Sequence, residues 1–114
     1  MDDNLSLTQE ITELHADICS ALADPRRILI LYALSERSLN VSELAQHVNI
    51  SQSATSRHLK ILRERGLVRP VRIGASVEYR LTDLRLIEAL DILRAVLRSR
   101  LAHRASLLEE ESAS

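Results

Sequence analysis

The chain of 114 residues has one cysteine, two glycines, two prolines and two tyrosines, and it has neither phenylalanine nor tryptophan. Each shortage excludes something. The single Cys19 rules out an intrachain disulfide framework and suits a reducing compartment. With only Gly66, Gly74, Pro25 and Pro70 as punctuation, there is no long linker, low-complexity tract or internal repeat. The scarcity of aromatics leaves a core of Leu, Ile, Val and Ala, a palette that suits helices. No apolar run is long enough to span a bilayer, and the opening MDDNLSLTQE is acidic rather than signal-like. The expectation is one soluble, cytoplasmic domain with no membrane contact.

What is present is uneven. The net charge of −1 hides a polarity along the chain. Residues 1–24 carry Asp2, Asp3, Glu10, Glu13, Asp17 and Asp24 with no Lys or Arg. Residues 51–80 carry Arg57, Lys60, Arg63, Arg65, Arg69, Arg72 and Arg80 against Glu64 and Glu78. A basic segment beside an acidic one points to a polyanion as partner for one face.

The apolar spacing sets the elements. Leu7, Ile11, Leu14, Ile18 and Leu22 step by three or four and predict a first helix over about 5–22. Asp24-Pro25 reads as a cap followed by proline at the first helical position. The next helix carries Ile28, Leu29, Ile30, Leu31, Ala33 and Leu34, apolar nearly all round, and is expected to be central and buried. Asn40-Val41-Ser42-Glu43 has the form of a capping box for a short helix through Val48. Asn49 suits the left-handed turn that follows, and Ser51 caps the next helix; two short helices so joined make a helix-turn-helix.

That second helix, in SQSATSRHLKILRERGLVRP, places hydroxyls and cations first and its leucine stripe later. After Gly66 the period changes to two, and Leu67–Ile73 and Val77–Leu81 read as a hairpin turning at Gly74-Ala75, with Pro70 confining its strand to an edge. A last helix from residue 84 to about Leu108 carries Leu86, Leu90, Leu93, Leu97 and Leu101, with Ile87, Ile92 and Val96 off that stripe. So wide an apolar surface on a short chain predicts a partner subunit.

The stretches ALADPRRILILYAL, SELAQHVNISQSATSRHLKILRERGLV and VEYRL together resemble the ArsR/SmtB family of winged-helix transcriptional repressors, over roughly Ala21 to Leu86. The resemblance implies a mainly α fold with a small β-hairpin wing, a homodimeric winged helix-turn-helix. It implies one such domain over 1–114: dimerisation helices at 5–23 and 84–108, a DNA-binding core at 25–81, and a wing at about 67–81. It further implies that each subunit inserts a recognition helix into the major groove of a pseudo-palindromic duplex operator.

The residue types agree with that expectation. Gln52, Ser53, Thr55 and Ser56 suit base edges and phosphates, and Arg57 and Lys60 suit phosphates or guanine. His58 matches a residue usual in the family, where it supports the helix or a phosphate. Arg69, Arg72 and Arg80 would lie near backbone or minor groove on the wing, unless some only solvate an edge strand.

Many members of the family release DNA on binding metal. One such site is a Cys-Val-Cys-Asp-Leu stretch; this chain has Asn40-Val41-Ser42-Glu43-Leu44, without a thiolate for a soft metal. Another pairs Asp-x-His with His-x-x-Glu across the dimer; here Asp83 is kept, but Arg85, Val96 and Ser99 stand at the other positions. A dithiol cannot close within a subunit that has one cysteine. No metal or other cofactor is therefore expected.

The remaining sensor candidates are His15 and Cys19, four apart on the first helix, and His103, which could approach them across the dimer. They would make a thiol- or soft-metal-responsive regulator. The plainer expectation is that Cys19 packs as a small hydrophobe and that His15 lies on the surface. A winged helix used to bind protein is the competing function; its surface should expose Leu, Phe or Tyr rather than this basic, hydroxyl-rich helix. No nucleophile–base pair, paired carboxylates or glycine-rich phosphate loop is present, so an enzyme is not expected.

Overall fold

Local capping chemistry starts the first four α-helices of the computed structural model, which describes residues 6–113. Helix α1 (Leu7–Leu14) begins where the Ser6 hydroxyl accepts the Gln9 amide and the Gln9 side chain accepts the Ser6 amide. The start expected at Leu5 lies outside the described residues. Leu7, Ile11 and Leu14 are exposed. The helix does not continue regularly to Leu22: His15–Cys19 form a π turn, in which the Ser20 amide donates to the His15 carbonyl five residues back.

Helix α2 (Pro25–Glu36) has Asp24 as its cap, the carboxylate accepting the Arg26 amide at 2.9 Å, and Pro25 in the first turn. It buries Ile30, Leu31, Ala33 and Leu34 against the helices and strand that follow, while Leu29 is exposed. The expected burial of α2 therefore holds for Ile30, Leu31, Ala33 and Leu34 and does not extend to Leu29. Helix α3 (Val41–Val48) has the Asn40/Glu43 capping box with both reciprocal hydrogen bonds. Asn49 follows at φ 61°, and Ser51 caps helix α4 (Gln52–Glu64) through the Ala54 amide.

Gly66 at φ +75° ends α4, and the Leu67 amide donates to the Leu62 carbonyl at 2.9 Å, the return bond of a Schellman cap. Strands β1 (Val68–Ile73) and β2 (Ser76–Leu81) then pair antiparallel, with Ile73 opposite Ser76 and Gly74 at φ +61° in the two-residue turn. Pro70 lies on β1, the edge strand. The other side of β2 is occupied: Tyr79 and Leu39 exchange both backbone hydrogen bonds, at 2.8 and 3.3 Å. At the base of the wing Thr82 donates its amide to Leu67 and its hydroxyl to Gly66. The core of this unit is aliphatic, built from Ile30, Leu31, Leu39, Leu44, Leu59, Leu62 and Val68.

The chain divides into two compact units, Met1–Asp83 and Leu84–Ser114. The second is helix α5 (Arg85–Ala113), which runs past the expected end at Leu108. No Gly or Pro interrupts it, and residues 105–111 favour helix. Its exposed apolar side chains include Ile92, Leu93, Val96, Leu97, Leu101 and Leu108. No described helix is long and apolar enough to cross a membrane.

Candidate nucleic-acid interface

Helix α4 separates its two faces by a simple spacing. Ala54, Thr55, His58, Leu59 and Leu62 are buried, whereas Gln52, Ser53, Ser56, Arg57 and Lys60 are exposed. The leucines hold one side of the helix on α2 and α3, and the other side presents amide, hydroxyl and cationic groups to solvent. Gln52 is not loose: its side-chain N–H donates to the Ser42 hydroxyl on α3 at 3.2 Å.

Two of the residues expected to touch DNA lie on the wrong side. Thr55 is 0% exposed, and its hydroxyl donates to the Ser51 carbonyl at 2.8 Å. His58 is 7% exposed and faces Arg27, with 3.4 Å between its Nδ1 and the guanidinium. Both corrections have one cause. Thr55, Leu59 and Leu62 share the 3.6-residue stripe, and His58 lies between them on the same face, so holding the leucines inward carries Thr55 and His58 inward too.

The surroundings of His58 explain its protonation. Burial is the largest influence and lowers its pKa below 6.5; Asp24 opposes this, and Arg26, Arg27 and Arg57 add to the lowering. The arginine N–H can only donate, so Nδ1 accepts, consistent with a neutral ring. Asp24 is held down to about 2 by the side-chain and backbone hydrogen bonds from Arg26. Arg27 reaches back from α2 to donate to the carbonyls of Ala21 and Ser20.

The wing carries the remaining cations. Arg69 and Arg80 are exposed and directly opposite each other in the β1–β2 register. Arg72 is exposed nearer the turn. Like charges in directly paired positions weaken a hairpin, so this pair has a structural cost that a bound polyanion would relieve. Arg57, Lys60, Arg69, Arg72 and Arg80 have no carboxylate partner among the described residues.

Of the sensor candidates, His15 and Cys19 lie together in the π turn, and both are exposed. Cys19 is exposed in the single chain rather than packed as a small hydrophobe. His103 is exposed on α5, in the other compact unit. The described residues contain no cluster of three His, Cys, Asp or Glu able to hold a metal. Asn40 and Glu43 are engaged with each other's backbone in the α3 cap.

Sequence reasoning missed Arg27, Arg65 and Leu39. Arg26 and Arg27 did leave a signal: two cations in the first turn of a helix oppose its dipole unless something local holds them. Asp24 is that group.

Helix-turn-helix plus hairpin, with the second helix exposed along its polar face, is the winged helix-turn-helix architecture. Residues 24–69 match the sequence model of a family described as bacterial regulatory protein, arsR family. The chain is 34% identical over 104 residues to the uncharacterized HTH-type transcriptional regulator Rv0081 of Mycobacterium tuberculosis, covering 90% of this chain and 91% of that one. The crystal structure of Rv0081 superposes with a TM-score of 0.74, covering 83% of this chain and 96% of the other.

A transcriptional repressor SmtB homolog from Synechocystis is 44% identical over 68 residues, 60% of this chain; the chain spans about half, 52%, of that relative's length. The homodimeric winged helix-turn-helix domain of Mb0332 from Mycobacterium bovis shares the fold at a TM-score of 0.74 and 24% identity, covering 90% of this chain and 95% of that one. The chain belongs to the arsR family of bacterial regulatory proteins.

Proposed function

We propose that the protein is a dimeric, sequence-specific DNA-binding transcriptional repressor without the metal sites common in its family. The observation that carries this reading is the exposed face of α4. Gln52, Ser53, Ser56, Arg57 and Lys60 are outward on a helix whose other side is anchored by Leu59 and Leu62. Gln52, Ser53 and Ser56 offer donors and acceptors to base edges, while Arg57 takes guanine or phosphate. Lys60 and the wing arginines neutralise the backbone, the opposed Arg69 and Arg80 giving up their mutual repulsion to phosphate.

The apolar faces of α1 and α5 supply the dimer contact, so that two α4 helices meet successive turns of a pseudo-palindromic operator. Repression then follows from occupying DNA that the transcription machinery needs.

The test is titration of the dimer with its own upstream DNA and with a random duplex at rising salt. Specific binding that weakens steeply with salt supports the proposal. Weak, flat binding to both duplexes refutes it and favours a protein-binding role.

The exposure of Cys19 and His15 favours one variant of this reading, in which thiol oxidation or a soft metal releases the DNA. A loss of affinity on oxidation that vanishes in Cys19→Ser supports it. Equal affinity in both redox states, and with and without a soft metal ion, refutes it.

A further inference from the structure

The basic segment of the sequence contains one arginine whose side chain turns away from the reading face. Arg65 follows the last residue of α4, and its guanidinium lies against the π turn after α1. One of its terminal nitrogens donates to the Ala16 carbonyl and, at 3.0 Å, to the Ser20 hydroxyl; the Asp17 carboxylate is 3.7 Å away.

The backbone explains why an acceptor is waiting there. In a regular α-helix the Ser20 amide would bond to the Ala16 carbonyl. Here it bonds to His15, one residue further back, and the Ala16 carbonyl instead accepts the Ser20 hydroxyl at 2.5 Å and the Arg65 guanidinium. The π turn thus creates a binding point for a side chain from α4.

A second tie runs in parallel. From α2, Arg27 donates to the Ala21 carbonyl at 2.6 Å and the Ser20 carbonyl at 3.4 Å, and the same guanidinium faces His58 in the middle of α4. Two arginines, Arg65 at the end of α4 and Arg27 of α2 beside its middle, therefore converge on residues 16–21.

We propose that Arg65 is a positioning residue for DNA reading: it fixes the C-terminal end of α4 to the π turn of the α1 segment, and so sets the angle at which the exposed face of α4 meets the groove. The proposal rests on the DNA-binding reading above. It assigns Arg65 no contact with DNA, although the residue lies within the basic segment. It also makes the conformation of residues 15–20, on the helix that carries the exposed α1 stripe, an input to DNA affinity.

The experiment uses the full chain as wild type, Arg65→Ala, Ser20→Ala and the double variant. Amide hydrogen exchange over residues 52–65 is measured without DNA, and affinity for upstream and random duplexes is measured at several salt concentrations. Loss of this clamp should speed exchange in Arg65→Ala by about three- to tenfold, the effect of one hydrogen bond. Affinity for the upstream duplex should fall by a similar factor, with affinity for random duplex and the salt slope unchanged.

Ser20→Ala should act in the same direction without removing a charge. The double variant should lose less than the product of the two single losses, because the two side chains share one interaction. Unchanged exchange in Arg65→Ala, or independent effects in the double variant, overturns the clamp. An equal loss on both duplexes with a salt slope lower by about one makes Arg65 a phosphate contact and also overturns it. A wild-type chain that binds neither duplex refutes the DNA reading alone, and the exchange comparison still decides whether Arg65 holds α4.

Discussion

Thr55→Val separates the two faces of α4 in a single experiment. The side chain is fully buried, and its hydroxyl donates to the Ser51 carbonyl at 2.8 Å. That carbonyl also accepts the Thr55 amide at 2.9 Å, so removing the hydroxyl leaves no orphaned acceptor. The loss is one neutral hydrogen bond, a net of about 0.5–1.5 kcal/mol. The gain is a methyl group of nearly the same shape in an aliphatic environment, worth roughly 0.8 kcal/mol. The two nearly cancel, so stability should change by less than about 1 kcal/mol.

Thr55→Ala loses the methyl as well and leaves a small void. It should cost about 1–2 kcal/mol, reduced slightly by the better helix propensity of alanine. Urea unfolding measures both changes, and titration with the upstream duplex measures function. Thr55→Val should retain wild-type affinity within about twofold, well under the factor of ten that corresponds to 1.4 kcal/mol. A tenfold loss of affinity at unchanged stability would show that Thr55 faces the groove, and the inward assignment of the Thr55–Leu59–Leu62 stripe would be wrong.

Three further outcomes are expected. Arg57→Ala should weaken specific binding by about 1–3 kcal/mol and flatten the preference among operator variants; equal weakening on every sequence would make Arg57 a phosphate contact. Leu93 is 60% exposed in the single chain, and Leu93→Glu should split the proposed dimer by placing charge in an apolar contact; an unchanged elution volume on a sizing column would refute that interface. His58 has a folded pKa below its ordinary 6.5, so the unfolded chain binds the proton first as pH falls. Its contribution is complete above about pH 6.5 and is lost as pH falls from there through the folded pKa. Unfolding measured from pH 8 to 5 should show this loss in wild type and not in His58→Gln; identical profiles would remove His58 from the linkage.

The sequence displayed features set by near neighbours. Ser51, Asp24 and the Asn40/Glu43 pair act within three residues of their partners, and spacing alone identifies them. The hairpin register follows from a two-residue turn with Gly74, and the exposed cations of α4 follow from the leucines opposite them. Thr55 was legible in principle, being four residues from Leu59 and seven from Leu62, but its polarity hid its place on the apolar stripe.

The π turn was not legible. Neither Gly nor Pro marks it, and the Arg65 contacts on Ala16 and Ser20 span 49 and 45 residues. The pairing of Leu39 with Tyr79 was hidden for the same reason, since periodicity reports which face is buried and not which distant strand completes it.

That pairing orders the birth of the molecule on the ribosome. Leu39 is almost fully buried, and both its backbone groups depend on Tyr79, forty residues later. The Ser38 hydroxyl likewise waits for the Glu78 carboxylate. A nascent chain that has emerged only as far as the wing turn contains all of α3 and α4, yet the Leu39 N–H and C=O still lack their Tyr79 partners. Helix α4 is therefore synthesised before the strand that secures its platform, and a chain truncated ahead of β2 has the residues proposed to read DNA without a finished support for them.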